Sequence, residues 1–413
     1  VVSFETSLLG SKINIFIAKK PCPLEGFTSH IRGTLAMAKN RLSVKTGQSL
    51  SRDEKKAVSE FKQAVWQPET EAVVFFCSSK YNLHILGGEL ATHFDCPLIG
   101  CTTAGEISTF GYQEGGIVGA SLSSEELRVH RHILSPLSQF SLSESGKLAM
   151  TIRENLSLVN GFEREKMFGC ILIDGLSMLE ETTIASLYTS FEGIPIIGGS
   201  AGDDLALEKT YIYDDGQFKS DAAVFTVFET MLPFRTFKTQ HFQPTETKIV
   251  ITGADPKRRI ITEINGEPAA TEYARVLGLE LDELNPTVFS ENPLLLKLGG
   301  EWYVRSIQKR NADNSLSLFS AIEEGLVLTI GTGADIIKNF TDQMILFEKE
   351  IPQNRFLILC DCILRQLELK NRGLIDEINL LLGGCNAIGF STYGEQFNSI
   401  HVNQTLTGVV IGG

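Results

Sequence analysis

The chain has 413 residues, 43% of them hydrophobic and 21% charged. That is enough to bury a large core and longer than one core usually supports, so two domains are expected. Fifty acidic residues against 37 basic ones give a formal charge of -13, a field that repels phosphate backbones and anionic lipid and argues against nucleic acid and membrane as partners. No apolar run approaches bilayer length, and the opening VVSFETSLLGSKINIFIAKK lacks the cationic-then-apolar order of a secretory leader, which predicts a cytoplasmic chain.

The first recognisable element is VVFFCSSK (73–80), an apolar run ending in small and polar residues, as a buried strand does. YNLHILGGELATHF follows with helical spacing, then the string Ile99-Gly-Cys-Thr-Thr-Ala-Gly-Glu106, a loop, and a second apolar run, GIVGASLS. The succession returns as CILIDGLS (170–177), LEETTIASLYTSFE, Ile197-Gly-Gly-Ser-Ala-Gly-Asp203 and AAVFTVFE, its signature one residue shorter. It returns again as FLILCDCIL (356–364), RQLELKNRGLIDEINLLL, Ile388-Gly-Phe-Ser-Thr-Tyr-Gly-Glu395 and TGVVIG. The common unit is strand, helix, strand, loop, strand, which predicts an α/β fold with sheets flanked by helices.

Residues 243–352 interrupt this pattern. KIVIT and RIITEI read as strands, Asn265-Gly266 as a tight turn and PAATEYARVLG as a helix beginning at Pro268. LLLKLGGEWYVRSIQKRNADNSLSLFSAI alternates as a meander does, with turns at Gly299-Gly300 and Asn311–Asn314. The domain boundary is placed near residue 240, giving modules 1–240 and 241–413.

A single signature reads as a tight turn whose Ser, Thr and acidic side chains satisfy local backbone groups. Three together predict loops sharing a mouth, with Thr103, Glu106, Ser200, Asp203, Thr392 and Glu395 as contacts for a small ligand.

GCTTAGEI, GGSAGDD, EINGEPAATEYARVLG and GFSTYGEQFNSIHVNQTLTG, in that order, resemble the FIST sensory domains over residues 30–413. HFQPTETKIVITGADPKRRIITEINGEPAA, EWYVRSIQ, SAIEEGLVLT and CDCILRQLE further resemble the NosP group within FIST, haem-binding nitric oxide sensors that act on histidine kinases. The resemblance implies b-type haem, nitric oxide as ligand and a histidine kinase as partner. It describes a non-enzymatic sensor, and a homodimer is one assembly open to it. Where many FIST domains carry a Gly-aromatic pair ahead of the carboxy-terminal module, this chain has His241-Phe242.

Such a haem needs an apolar slot, a neutral imidazole and cations at its edge. Of the seven histidines, His30, His84, His93, His130 and His132 read as structural or solvated. His241, at the module junction between Phe237 and Pro244, is the first choice for the iron, and His401, beside Asn403, Tyr393 and Glu395, the second. Lys257, Arg258, Arg259 and Arg305 are the candidates for the propionates.

Three other readings stay open: a Cys360 or Cys362 nucleophile with His401 as base, a zinc site from Cys360, Cys362, Cys385 and His401, and a colourless sensor of an amino-acid-like metabolite. Asp361 between the first two cysteines disfavours a thiolate. The eight cysteines, which include Cys22, Cys77, Cys96, Cys101 and Cys170, lie mostly in apolar segments, as reduced core thiols do, and no CxxCH occurs for covalent haem. P-loop, GxSxG, HExxH and dinucleotide fingerprints are missing from the sequence, so no catalytic residue is assigned.

Overall fold

A computed structural model describes residues 41–159, 161–352 and 355–413, all within one compact unit. His30 and Cys22 lie outside the described residues.

The chain builds the same unit three times. The first copy runs β1 (Ser43–Ser49), α1 (Glu54–Val65), β2 (Ala72–Ser78), α2 (Leu83–His93), β3 (Leu98–Thr103), β4 (Glu106–Ser108), β5 (Gly111–Gln113) and β6 (Ile117–Ser123). The second runs β7 (Leu127–Leu134), α3 (Leu142–Asn155), β8 (Met167–Ile173), α4 (Glu180–Ser190), β9 (Ile196–Ser200), β10 (Ile212–Asp214), β11 (Gln217–Lys219) and β12 (Ala223–Thr230).

The third opens with β13 (Phe234–Thr239) and is then interrupted. The insert comprises β14 (Phe242–Asp255), β15 (Ile260–Ile264), β16 (Glu267–Pro268), α5 (Ala269–Leu277), α6 (Pro286–Glu291), β17 (Leu294–Leu298), β18 (Glu301–Arg305), β19 (Ile307–Arg310), β20 (Leu316–Leu318) and β21 (Val327–Gly333). The unit then resumes with α7 (Ile336–Glu350), β22 (Phe356–Cys362), α8 (Ile363–Asn371), α9 (Ile375–Gly383), β23 (Ala387–Thr392), β24 (Glu395–Phe397), β25 (Ile400–Val402) and β26 (Leu406–Ile411).

Local chemistry explains these elements. β2, β8 and β22 are buried along their whole length, as their unbroken apolar runs require. Asp53, Asn82, Ser141 and Asp335 cap α1, α2, α3 and α7 by accepting from backbone N–H groups of the first turn. The single helix expected over 365–382 is two, because the chain turns at Gly373 with φ +67. The loop expected after each signature is a short hairpin.

Those hairpins are exchanged in a ring. β4-β5 of the first unit extends the third unit's sheet, β10-β11 of the second extends the first unit's, and β24-β25 of the third extends the second unit's. The resulting orders are β1-β6-β2-β3-β10-β11, β7-β12-β8-β9-β24-β25 and β13-β26-β22-β23-β4-β5.

The three sheets share one apolar core, drawn from Phe76, Ile99 and Val118, from Phe168, Ile197 and Val224, and from Ile358, Ile388 and Val409. Phe76 stacks on Phe390 across it, ring centroids 4.4 Å apart, a contact worth about 0.5–1.5 kcal/mol beyond the area it buries. The outer face of each sheet packs on its own helices in a separate cluster.

The insert folds as a fourth sheet around a core of its own that includes Ile249, Ile261, Tyr273, Phe289 and Leu328. Asn265 and Gly266 have φ +53 and +86, the conformation a two-residue hairpin turn needs. The chain passes from the third unit's sheet into the insert just after Thr239, and residues on both sides of 240 contribute to the same three-unit body. No helix among the described residues is long and apolar enough to cross a bilayer.

Candidate functional site

The signature side chains hold the turns that start the hairpins. Thr103 donates to Glu106 at 2.7 Å and the Gly116 N–H donates to the same carboxyl group at 3.2 Å. The third copy repeats this, with Thr392, the Thr405 hydroxyl (2.6 Å) and the Thr405 N–H (3.2 Å) all donating to Glu395. Burial pushes both carboxyls up to about 8, against the hydroxyl and N–H donors that favour the charged form. In the second copy Asp203 accepts from Tyr393 OH and from the N–H groups of Leu207, Glu208 and Lys209. Ser200 accepts from the Gln396 amide at 3.0 Å.

The three hairpins differ in the central residue of their second strand, where each meets a helix. In the first sheet this is Phe218, which packs edge-on against Phe75 and Tyr213. There α2 comes so close to the turn that a Cβ at Gly87 would lie 2.4 Å from the Gly216 carbonyl.

In the third unit's sheet the central residue is Tyr112, which donates to Asp361, while Asn379 of α9 accepts from its backbone N–H. Asp361 in turn accepts from Arg365 Nε at 2.6 Å. Arg365 also donates to His241 Nδ1 at 3.1 Å, and His241 Nε2 is 2.9 Å from both oxygens of Glu368. An arginine N–H can only donate, so Nδ1 is the accepting nitrogen and Nε2–H donates to Glu368. Burial, with the Arg365 charge, lowers the His241 pKa despite Glu368.

In the second unit's sheet the central residue is His401. Gln396, opposite it, contacts Nδ1 at 3.1 Å, and Nε2 has no hydrogen-bond partner among the described residues. Neither amide atom of Asn403 has one, nor do Gln396 Oε1, Arg305 Nε and Ser320 Oγ. Buried polar atoms without partners are rare and costly, about 1–3 kcal/mol each, which makes this group the candidate site.

The charges felt by His401 are those of Glu181, Glu180, Arg259 and Arg305, and burial lowers its pKa. Arg259 donates to Glu180 at 2.6 Å, to Glu181 at 2.5 Å and to the Phe319 carbonyl at 2.8 Å. Arg305 makes no ion pair among the described residues. Gly394 lies against the cluster: a Cβ there would be 2.3 Å from His401 Cε1 and 2.9 Å from Asn403 Nδ2. Of the clefts open to solvent, the largest described, 530 Å³, runs elsewhere, past His132, Pro136 and Phe140.

The structure thus brings together His401, Arg259, Arg305 and Tyr393 around one region, with Tyr393 6.3 Å from Phe319. It keeps His241 apart from them in the Asp361–Arg365–Glu368 network, and leaves Lys257 and Arg258 exposed on the turn before Arg259. Glu180, Glu181, Gln396 and Ser320 carry no sequence signal: an acidic pair opening a helix reads as ordinary dipole complementation.

Haem does not fit these residues. Both nitrogens of His241 are engaged, and His401 lies within the field of Glu180, Glu181, Arg259 and Arg305 where a porphyrin needs an apolar slot. Burial raises the Cys360 and Cys362 thiols well above their ordinary range, which disfavours thiolate chemistry. Among the described residues no three His, Cys, Asp or Glu side chains are grouped to hold a metal. Cys385 instead lies 3.8 Å from Met344 Sδ.

Residues 71–267 match the FIST N domain and residues 269–398 the FIST C domain. The chain belongs to the FIST family. It is also similar to an uncharacterized protein of Methanocaldococcus jannaschii, 27% identical over 255 residues, 52% of this chain and 48% of that protein. The chain therefore matches about half the length of that curated relative.

Proposed function

We propose that this FIST protein is a sensor of a small zwitterionic, amino-acid-like metabolite held at the His401–Asn403 cluster. The observation that carries the reading is the set of buried polar atoms without partners at Asn403, His401, Gln396, Arg305 and Ser320.

The charges there are divided. Arg305 makes no ion pair among the described residues, although the charge of Glu181 acts on it, whereas Glu180 and Glu181 both pair with Arg259. A ligand carboxylate on Arg305 and an ammonium on the Glu180–Glu181 side would balance both ends. Asn403, with a donor and an acceptor both unused, would fix its orientation.

Haem, nitric oxide and a histidine kinase are what the narrower resemblance implies. The polar surroundings of His401 and the engaged ring of His241 favour the colourless metabolite instead. A kinase remains the kind of partner such a sensor would address, read by autophosphorylation with and without the loaded protein.

The experiment is a thermal-shift screen of the purified chain against the twenty amino acids, with the matching amines and carboxylic acids as controls, alongside a haemin titration. An amino acid should raise the melting temperature where its amine and acid do not, and Asn403→Ala and Arg305→Met should abolish the shift. A Soret band with haemin and no shift with any amino acid would overturn the reading.

A further inference from the structure

The cluster is built from two bodies. Arg259, Arg305 and Ser320 belong to the insert, while Glu180, Glu181, Gln396, His401 and Asn403 belong to the three-unit body. The insert has its own apolar core, and its first and last strands enter side by side, Phe242 opposite Gly333. At that crossing the His241 carbonyl accepts from the Ala334 N–H at 2.8 Å, while the His241 ring is held by Arg365 and Glu368 of α8. One residue thus belongs to the crossing by its backbone and to the body by its side chain.

At the cluster, the contact between the bodies is Arg259 on Glu180 and Glu181, with the Ala321 N–H donating to Glu181 at 2.7 Å. Arg259 is held at φ +53 at the end of a short turn, which aims its side chain across the gap. Between crossing and contact, Gln404 of the body donates to the Ser290 carbonyl at 2.6 Å and accepts from Ser306 at 2.8 Å. The insert's core is separate from that of the body, and the two bodies meet through the adjacent strands at one end, through α6 on α8, and at the cluster through these polar contacts and Phe319 packed against Tyr393, the construction of a hinge and a catch.

We infer that the insert is a lid that swings on His241 and is latched by Arg259 onto Glu180 and Glu181, and that opening this latch gives access to the cluster. This deepens the ligand reading, since latch and ligand would share the same two carboxylates and so be linked in free energy. The lid itself is testable without any ligand.

Cys362 reports on it. The thiol is buried in the small apolar cluster that includes Tyr393 and is packed by Phe319 of the insert, whereas Cys360, two residues earlier on the same strand, lies in the shared core of the body. The test is the rate at which N-ethylmaleimide modifies each thiol in the native chain, read by peptide mass spectrometry. The variants are Arg259→Met and the double change Glu180→Gln with Glu181→Gln, each checked for fold by circular dichroism.

Opening the latch should speed Cys362 modification by about tenfold or more, because removing one partner of a buried pair leaves the other uncompensated, and should leave Cys360 unchanged. Unchanged Cys362 rates in the folded variants would overturn the lid. So would Cys360 and Cys362 rising together, which reads as loosening of the whole fold. If Arg259→Met fails to fold, the glutamine variant decides by the same two rates.

Discussion

Tyr112 and His401 are counterparts: each is the central residue of the second strand of an exchanged hairpin, Tyr112 opposite Ile107 and His401 opposite Gln396. Tyr112 closes its position by bonding Asp361, which holds Arg365, whereas His401 leaves Nε2 without a partner. The same backbone position therefore serves stability in one sheet and leaves a ring nitrogen without a partner in another.

Asp361→Ala should be strongly destabilising, because it strands the buried guanidinium of Arg365 and the hydroxyl of Tyr112. Losing one partner of a buried pair costs about 3–5 kcal/mol. Urea unfolding followed by fluorescence should show the midpoint falling accordingly. Tyr112→Phe, which keeps the ion pair, should cost about 1 kcal/mol, the net value of one hydrogen bond.

Asn403→Leu should act in the opposite direction on the ligand-free chain. Both amide atoms of Asn403 are buried without partners, so an apolar side chain of similar size should raise stability by about 1 kcal/mol. The melting temperature should rise while the amino-acid-induced shift disappears, separating folding from binding in one variant.

Stability should fall between about pH 5 and pH 8. Glu106 and Glu395 are pushed up to about 8 by burial, so over this range the folded chain keeps protons that the unfolded chain has released. Their contribution is complete below the ordinary carboxyl value and is lost as pH rises through the folded one. Thermal melts across this window should show the decline, and Glu106→Gln with Glu395→Gln should flatten it.

Gly394→Ala should disturb the cluster directly. Its new methyl group would meet the imidazole of His401 at 2.3 Å, too close for either to stay in place, at a cost of about 1–3 kcal/mol for forced overpacking. The thermal-shift response to amino acids should be lost in a chain whose circular dichroism is unchanged.

Mild iodoacetamide treatment of the native chain should modify Cys96 and Cys385 before Cys77, Cys101, Cys170, Cys360 and Cys362. The first two are partly exposed and the other five buried. Peptide mass spectrometry gives the order.

The long strands were legible because β2, β8 and β22 are unbroken apolar runs, and the three signatures because they recur as short strings. The hairpins were not, since strands of three residues carry little periodicity and their partners are remote: Glu106 lies opposite Phe390, and Glu395 opposite Gly199. His241 stood out for its place between modules, yet what engages its ring, Arg365 and Glu368, comes from a helix far along the chain. His401 and Arg305 are legible in the sequence as haem candidates. The groups that complete the cluster, Glu180, Glu181, Gln396 and Ser320, look like ordinary helix-start and strand residues until three units and the insert are folded together.

The ring of exchanged hairpins also governs how the chain comes into being. β4 and β5 precede their partner strand β23 by the whole second unit and the insert, so during synthesis the first unit's hairpin must wait, with an edge unpaired, for the third unit. Long-range pairing of this kind is slow and leaves intermediates open to aggregation. Cutting the gene between the two matched domain models would leave the second unit's sheet without β24 and β25 and the first unit's β4-β5 hairpin without β23. Fragments drawn to those limits are accordingly poor material for expression.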